Sequence, residues 1–200
     1  MRKAIRHLKA SDPVLAAIIE QVGPYRMQYD EPGFHSLAEA IVYQQLHGKA
    51  AATIFKRLSD LAGHPLTPAG ILALREEQMR AVGLSRQKLS YIRDLAAKAH
   101  SRELDFEGLP ALPDQDVIRQ LTQVKGIGVW TAHMFLMFSL RRENVLPTGD
   151  LGIQMAMRKH YRKRKLLKPL QMEKIARCWE PYRSVACWYL WRSLDVKTPG

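Results

Sequence analysis

The stretch from Leu121 to Tyr161, LTQVKGIGVWTAHMFLMFSLRRENVLPTGDLGIQMAMRKHY, joins a Gly-Ile-Gly turn to the carboxylate of Asp150 through one apolar helix and a Pro-Thr-Gly turn. Upstream, Asp114 to Val124 reads as a helix, because the carboxylates at 114 and 116 suit a first turn and Val117, Ile118 and Leu121 recur on one face. Gly126 stops it. Gly126 and Gly128 allow positive φ and close backbone approach, and Ile127 between them plugs inward. Val129 to Leu140 makes the second helix, apolar nearly all round and expected to be buried.

A tight turn that ends one helix and starts another directs several backbone N–H groups outward at the positive end of the second helix, an arrangement that seats a phosphate. On the glycines alone, an ordinary helix–helix turn in a bundle fits as well. Pro147-Thr148-Gly149-Asp150 adds an acid at the N-cap of a further helix, where the dipole and unsatisfied N–H groups favour a carboxylate. Capping alone also accounts for Asp150.

The run Val124 to Phe135, VKGIGVWTAHMF, followed by LPTGD at 146–150, resembles the helix-hairpin-helix plus Gly/Pro-Asp signature of base-excision DNA glycosylases, most of all the 3-methyladenine DNA glycosylase II (alkylation-repair) branch. Members of that superfamily that also cut the strand carry a lysine nucleophile near the start of the second hairpin helix. Trp130 stands there in this chain, and its interval of 20 residues to Asp150 fits the family pattern. The resemblance therefore implies a monofunctional enzyme with Asp150 as its catalytic carboxylate and Lys125, Gly126 and Gly128 on DNA phosphate. It also implies a monovalent cation at the hairpin, held by backbone oxygens of Thr122, Val124 and Ile127, with no catalytic metal and no cofactor.

Around this stretch, 200 residues allow one domain or two packed lobes. An excess of 31 Lys and Arg over 19 Asp and Glu, net +12, makes a polyanion the default partner, against a merely soluble basic surface. No apolar run approaches the ~20 residues of a membrane span, and the N-terminus lacks a signal peptide's apolar core. An intracellular protein, with DNA in nucleoid or nucleus, is expected. Two cysteines, Cys178 and Cys187, suffice for neither a zinc site nor an iron–sulfur cluster and read as buried thiols. The chain resembles the clusterless branch of the family.

Residues 1 to 34 hold a basic start, then a short helix capped by Ser11 or Asp12 with Pro13 in its first turn. Ser36-Leu37-Ala38-Glu39 reads as a capping box opening the next helix. From Ile41 to Ala51 the sequence turns polar where burial should continue, and Gly48 is a poor helix interior; a bend exposing Gln45, Leu46 and His47 explains both. The stretch resembles the family's minor-groove loop, which makes Gln45 the plug that fills the gap left by an extruded nucleotide, Leu46 its neighbour and His47 a groove contact. Thr67-Pro68 caps one helix and Ser85 another. Arg86 and Lys88, in a run resembling the family's Gly-Leu-Ser-x-x-Lys segment, suit phosphate or simply a solvated face. The basic run from Arg158 to Lys165 is open between phosphate-binding loop, localisation signal and solvated surface. Two final helices, Pro169 to Trp179 and Pro181 to Ser193, carry a Trp-Glu-Pro-Tyr-Arg-Ser motif at 179–184; with it, Trp191 resembles the branch's base-pocket tryptophan, while Trp179 and Trp188 read as core. Met134, where the branch has an aromatic residue, and the lack of the bacterial enzyme's extra N-terminal α/β domain are departures.

No segment alternates as a strand, so the chain is expected to be all-α with about ten helices. The resemblance implies two helical lobes, 1–34 with 145–200 and 35–144, flanking an active cleft, acting as a monomer on double-stranded DNA containing damaged bases and on no membrane. Methylation at purine N3 or N7 leaves a cationic base whose glycosidic bond is already weakened. The enzyme's tasks are then to extrude the nucleotide, grip the cation and stabilise the sugar. Indoles of Trp130 and Trp191 would favour such a base by roughly 0.5–2 kcal/mol, and Asp150 would face the developing oxocarbenium ion and orient water. The alternative from another class is a non-enzymatic helix-hairpin-helix protein that binds DNA or recognises lesions.

Overall fold

In the computed structural model, which describes residues 1–195, every regular element among the described residues is helical. The order is α1 (Arg2–Ser11), α2 (Pro13–Val22), α3 (Phe34–Tyr43), α4 (Gly48–Ala62), α5 (Pro68–Ala73), α6 (Glu76–Ala81), α7 (Arg86–His100), α8 (Asp114–Thr122), α9 (Val129–Met134), α10 (Leu151–His160), α11 (Pro169–Ala176) and α12 (Arg183–Asp195). A π-helical turn, Phe135–Ser139, continues α9. The chain forms two compact units: a terminal unit of residues 1–29 with the chain from 141 onward, and a central unit of residues 30–140.

The terminal unit is built on α12, where Ser184 to Leu190 are all buried and pack on α2 and α10. A helix apolar on every side must be enclosed by others. Asp12, itself buried, ties the unit together. One of its oxygens caps α2 by accepting the Val14 and Leu15 N–H groups at 2.9 and 3.1 Å. The other accepts the Trp179 indole N–H at 2.8 Å and the Tyr161 hydroxyl. Four donors offset the desolvation of one carboxylate. Burial, with Asp12 adding to it, holds the Tyr161 phenol far above its ordinary range.

The central unit is organised on α7, which buries Leu89, Ile92, Leu95 and Ala96 against α3 and α5. The caps read from the sequence are in place here: the Ser85 hydroxyl accepts the Lys88 N–H and the Thr67 hydroxyl accepts the Gly70 N–H, both at 3.1 Å.

Several local expectations are corrected. Ser36 is no N-cap: its hydroxyl donates to the Gly33 carbonyl at 3.0 Å, and α3 begins at Phe34, whose buried ring extends the apolar stripe by a turn. The basic start is itself a helix, α1, which buries Ala4 and Leu8 at i, i+4 spacing. Of the two hairpin glycines only Gly126 has positive φ, +80°, while Gly128 is extended at −95° and serves as the N-cap of α9. The first turn of α9 is not buried, with Val129 and Trp130 53% and 49% exposed. Cys187 is buried but Cys178 is exposed.

Candidate functional site

In the terminal unit, Asp150 is the N-cap of α10 and is 8% exposed. Its backbone N–H donates to the Pro147 carbonyl at 2.9 Å, so the Pro-Thr-Gly turn presents it to the helix. Oδ1 accepts the Ile153 N–H at 2.8 Å, the capping bond. The same oxygen accepts Nε1–H of Trp191 at 2.8 Å, from α12, 41 residues further on. Two N–H donors and a helix dipole thus fix the carboxylate and its charge in one orientation. Gly152 makes the pairing possible: a Cβ there would stand 3.0 Å from Trp191 Cδ1 and 3.1 Å from Asp150 Oδ1. Behind this pair Cys187 is fully buried, and burial first, then the Asp150 charge, push its thiol well above the ordinary range. Leu151 and Met155, on the same helix, are exposed.

In the central unit, the turn between α8 and α9 is closed by the Ile127 N–H to Val124 carbonyl bond at 3.1 Å, with Ile127 buried as expected. Asp94 on α7 accepts the Lys125 N–H at 2.9 Å with one oxygen and the Lys98 ammonium at 3.1 Å with the other. Burial pushes the Asp94 carboxyl up, but these donors outweigh it and hold it below the usual range. The Tyr91 ring lies flat against Gly126, where a Cβ would come within 2.1 Å of it. Only glycine fits. For the expected cation, Val124 keeps one carbonyl lone pair after accepting the Ile127 N–H. An all-oxygen donor set from Thr122, Val124 and Ile127 fits a hard cation.

Between α3 and α4 the chain bends as the polar run foretells. Gln45 has φ +55°, and Gln45, Leu46 and His47 are all exposed. Gln44 donates Nε2–H to the Gly126 carbonyl at 2.9 Å. Arg86 is exposed on the first turn of α7, whereas Lys88 turns inward and donates Nζ–H to the Val42 carbonyl at 2.6 Å. Burial lowers the Lys88 ammonium below its ordinary value. A cavity of about 630 Å³ opens here, its lining including Tyr43, Gln44, Lys88, Tyr91, Trp130 and Met134.

Of the residues singled out from sequence, Asp150 and Trp191 are in contact, and Gln45, Lys88, Gly126 and Trp130 line one cavity. Leu46 and His47 stand on its neighbouring turn, and Lys125 on the hairpin. Gln44, Tyr91 and Gly152 were not singled out. For Gly152 the signal was available, since a glycine inside a helix asks for a close neighbour.

Comparison with known proteins gives a consistent result. A family model described as "HhH-GPD superfamily base excision DNA repair protein" matches residues 38–181. A Schizosaccharomyces pombe protein named DNA-3-methyladenine glycosylase 1 is 36% identical over 200 residues, spanning 96% of this chain and 87% of the relative. A solved structure of an S. pombe 3-methyladenine DNA glycosylase in complex with abasic DNA superposes with a TM-score of 0.84 at 35% identity, covering 97% of both chains. A Bacillus halodurans DNA-3-methyladenine glycosidase gives 0.85 at 36% identity, covering 94% of this chain and 87% of that one.

Proposed function

We propose that this chain, which belongs to the HhH-GPD superfamily of base excision DNA repair proteins, is a monofunctional DNA glycosylase that extrudes alkylated purines of the 3-methyladenine and 7-methylguanine type and hydrolyses them from duplex DNA. The observation that carries the reading is the Asp150 carboxylate, held at the start of α10 by the Ile153 N–H and the Trp191 indole N–H. Its charge is preorganised, so stabilising an oxocarbenium ion requires no rearrangement at the moment of bond cleavage. Asp150 orients or deprotonates the attacking water.

Trp191 has two parts in this scheme: its N–H fixes Asp150 and its ring offers an electron-rich face to a cationic base. The half-exposed indole of Trp130 offers a second face to the same class of base, worth roughly 0.5–2 kcal/mol for each cation–π contact. As Trp130 stands where strand-cutting members have lysine, that position supplies no amine to form a Schiff base. Lys125, Gly126, Gly128 and Arg86 meet backbone phosphate, Gln45 fills the vacated stack, and Leu46 and His47 enter the groove beside it. Oxygens of Thr122, Val124 and Ile127 would hold a monovalent cation against a phosphate. The enzyme works as a monomer inside the cell; no helix among the described residues is long and apolar enough to cross a membrane.

The test is release of free base from duplexes carrying 3-methyladenine, 7-methylguanine, etheno or deaminated purines. Excision of the cationic lesions is expected. Binding without release from any lesion would replace the enzyme with a lesion-recognition protein.

A further inference from the structure

Three elements of the central unit that are distant in sequence meet beside the Gln45–His47 turn. Gln44 donates to the carbonyl of Gly126, 82 residues along the chain, and Lys88 donates to the carbonyl of Val42, 46 residues back. Val42 is the penultimate residue of α3, so its carbonyl is one of those the helix leaves without an internal donor, at the negative end of the dipole. An ammonium is a strong donor for it. Along α7 from Lys88, at spacings of three, come Tyr91, flat on Gly126, and Asp94, holding the Lys125 N–H. One helix face therefore grips the end of α3 with Lys88 and the hairpin with Tyr91 and Asp94. Gln44 closes the ring by bonding turn to hairpin directly.

Gln45 shows why the ring is needed. Its φ of +55° is rarely adopted by a long L side chain and persists only where the surroundings over-determine it. Its neighbours on the N-terminal side, Val42 and Gln44, are the ones tied down.

We propose that Gln44 and Lys88 are positioning residues: they hold the exposed Gln45–Leu46–His47 turn in register with the Gly126–Gly128 hairpin, so that phosphate seating and gap filling occur as one docking event. The proposal rests on the glycosylase reading above and adds the residues that couple its two DNA contacts. Neither side chain has to touch DNA. Losing either bond leaves the hairpin N–H groups as they are but frees the turn, which must then be ordered at the moment of binding. That cost falls on paired substrates, where a gap has to be filled.

Gln44→Met keeps the length of the side chain and removes the donor. Single-turnover release of methylated purine is compared between a fully paired duplex and the same lesion in an unpaired loop, together with melting temperature and salt-dependent affinity for undamaged duplex. Release from the duplex should fall roughly 10–100-fold and release from the loop by no more than about threefold. Melting temperature and salt response should stay near wild type. Lys88→Met should share the duplex-specific loss and Lys88→Arg should restore it; if Gln44→Met melts below the assay temperature, the Lys88 pair carries the comparison. Equal losses on both substrates, or no loss on the duplex, would overturn the positioning role. A wild-type protein that releases base from neither substrate overturns the glycosylase reading instead, whatever residue 44 is.

Discussion

The two units differ in charge. The terminal unit, residues 1–29 and 141–200, holds 19 of the 31 Lys and Arg and 7 of the 19 Asp and Glu, which is the whole net charge of +12; the central unit has 12 of each sign and a net charge of zero. Yet the central unit carries the hairpin, the exposed turn and the cavity, the elements that suit close contact with DNA. The proposed function would then divide long-range attraction and local recognition between the units. On the proposed reading the central unit would bind with backbone N–H groups and shape, which are short-ranged and tied to geometry. The terminal unit would supply a field that is indifferent to sequence and screened by salt.

The largest expected effect breaks the terminal unit's part in chemistry. Asp150→Asn keeps an acceptor for the Ile153 N–H, so fold and DNA affinity should survive, while the charge that the proposed mechanism sets opposite the sugar cation is lost. Single-turnover excision should fall on the order of 10²–10³-fold. Affinity for DNA should hold or tighten, because a phosphate-repelling charge is gone. Full activity in this variant would remove Asp150 from the mechanism.

Next comes the charge division. Replacing Arg162, Lys163, Arg164 and Lys165, all exposed, with glutamine should weaken binding to undamaged duplex by roughly tenfold at low salt and flatten its salt dependence. Neutralising Lys49, Lys56, Arg57 and Arg75 of the central unit should do much less. Titration of affinity against salt for both sets decides this, and equal slopes would erase the distinction between the units.

The smallest effect sharpens the central unit's part. Asp94→Asn removes the anionic partner of the Lys125 N–H and Lys98, and should cost about 1–2 kcal/mol in denaturant unfolding at neutral pH. As the folded-state pKa of Asp94 is depressed below its ordinary value, the stabilisation is complete above that ordinary value and disappears as pH falls through the folded-state pKa. The gap between variant and wild type should therefore close in acid. A gap independent of pH would mean that packing, not charge, is what Asp94 supplies.

What could be read from the sequence follows from how local the physics is. The Asp150, Thr67 and Ser85 caps were legible because cap and helix are adjacent in the chain, and the exposed bend at Gln45 was legible because polarity broke an apolar period. Ser36 misled because a hydroxyl can donate backwards as well as accept forwards, and only the burial of Phe34 decides. Helix α1 was hidden by its charges, since its buried face is only Ala4 and Leu8. The Trp191 bond to Asp150 and the Gln44 bond to Gly126 span 41 and 82 residues, and no local pattern encodes such pairings.

One measurement tests the central claim most directly. Wild-type protein is incubated with duplex containing a 7-methylguanine on a labelled strand, and free base and strand breaks are scored before and after alkali. Base release with strands intact until alkali is added is the outcome for an enzyme that uses Asp150 and water and carries Trp130 in place of a lysine. Strand breaks before alkali, or a borohydride-trapped covalent adduct, would contradict it.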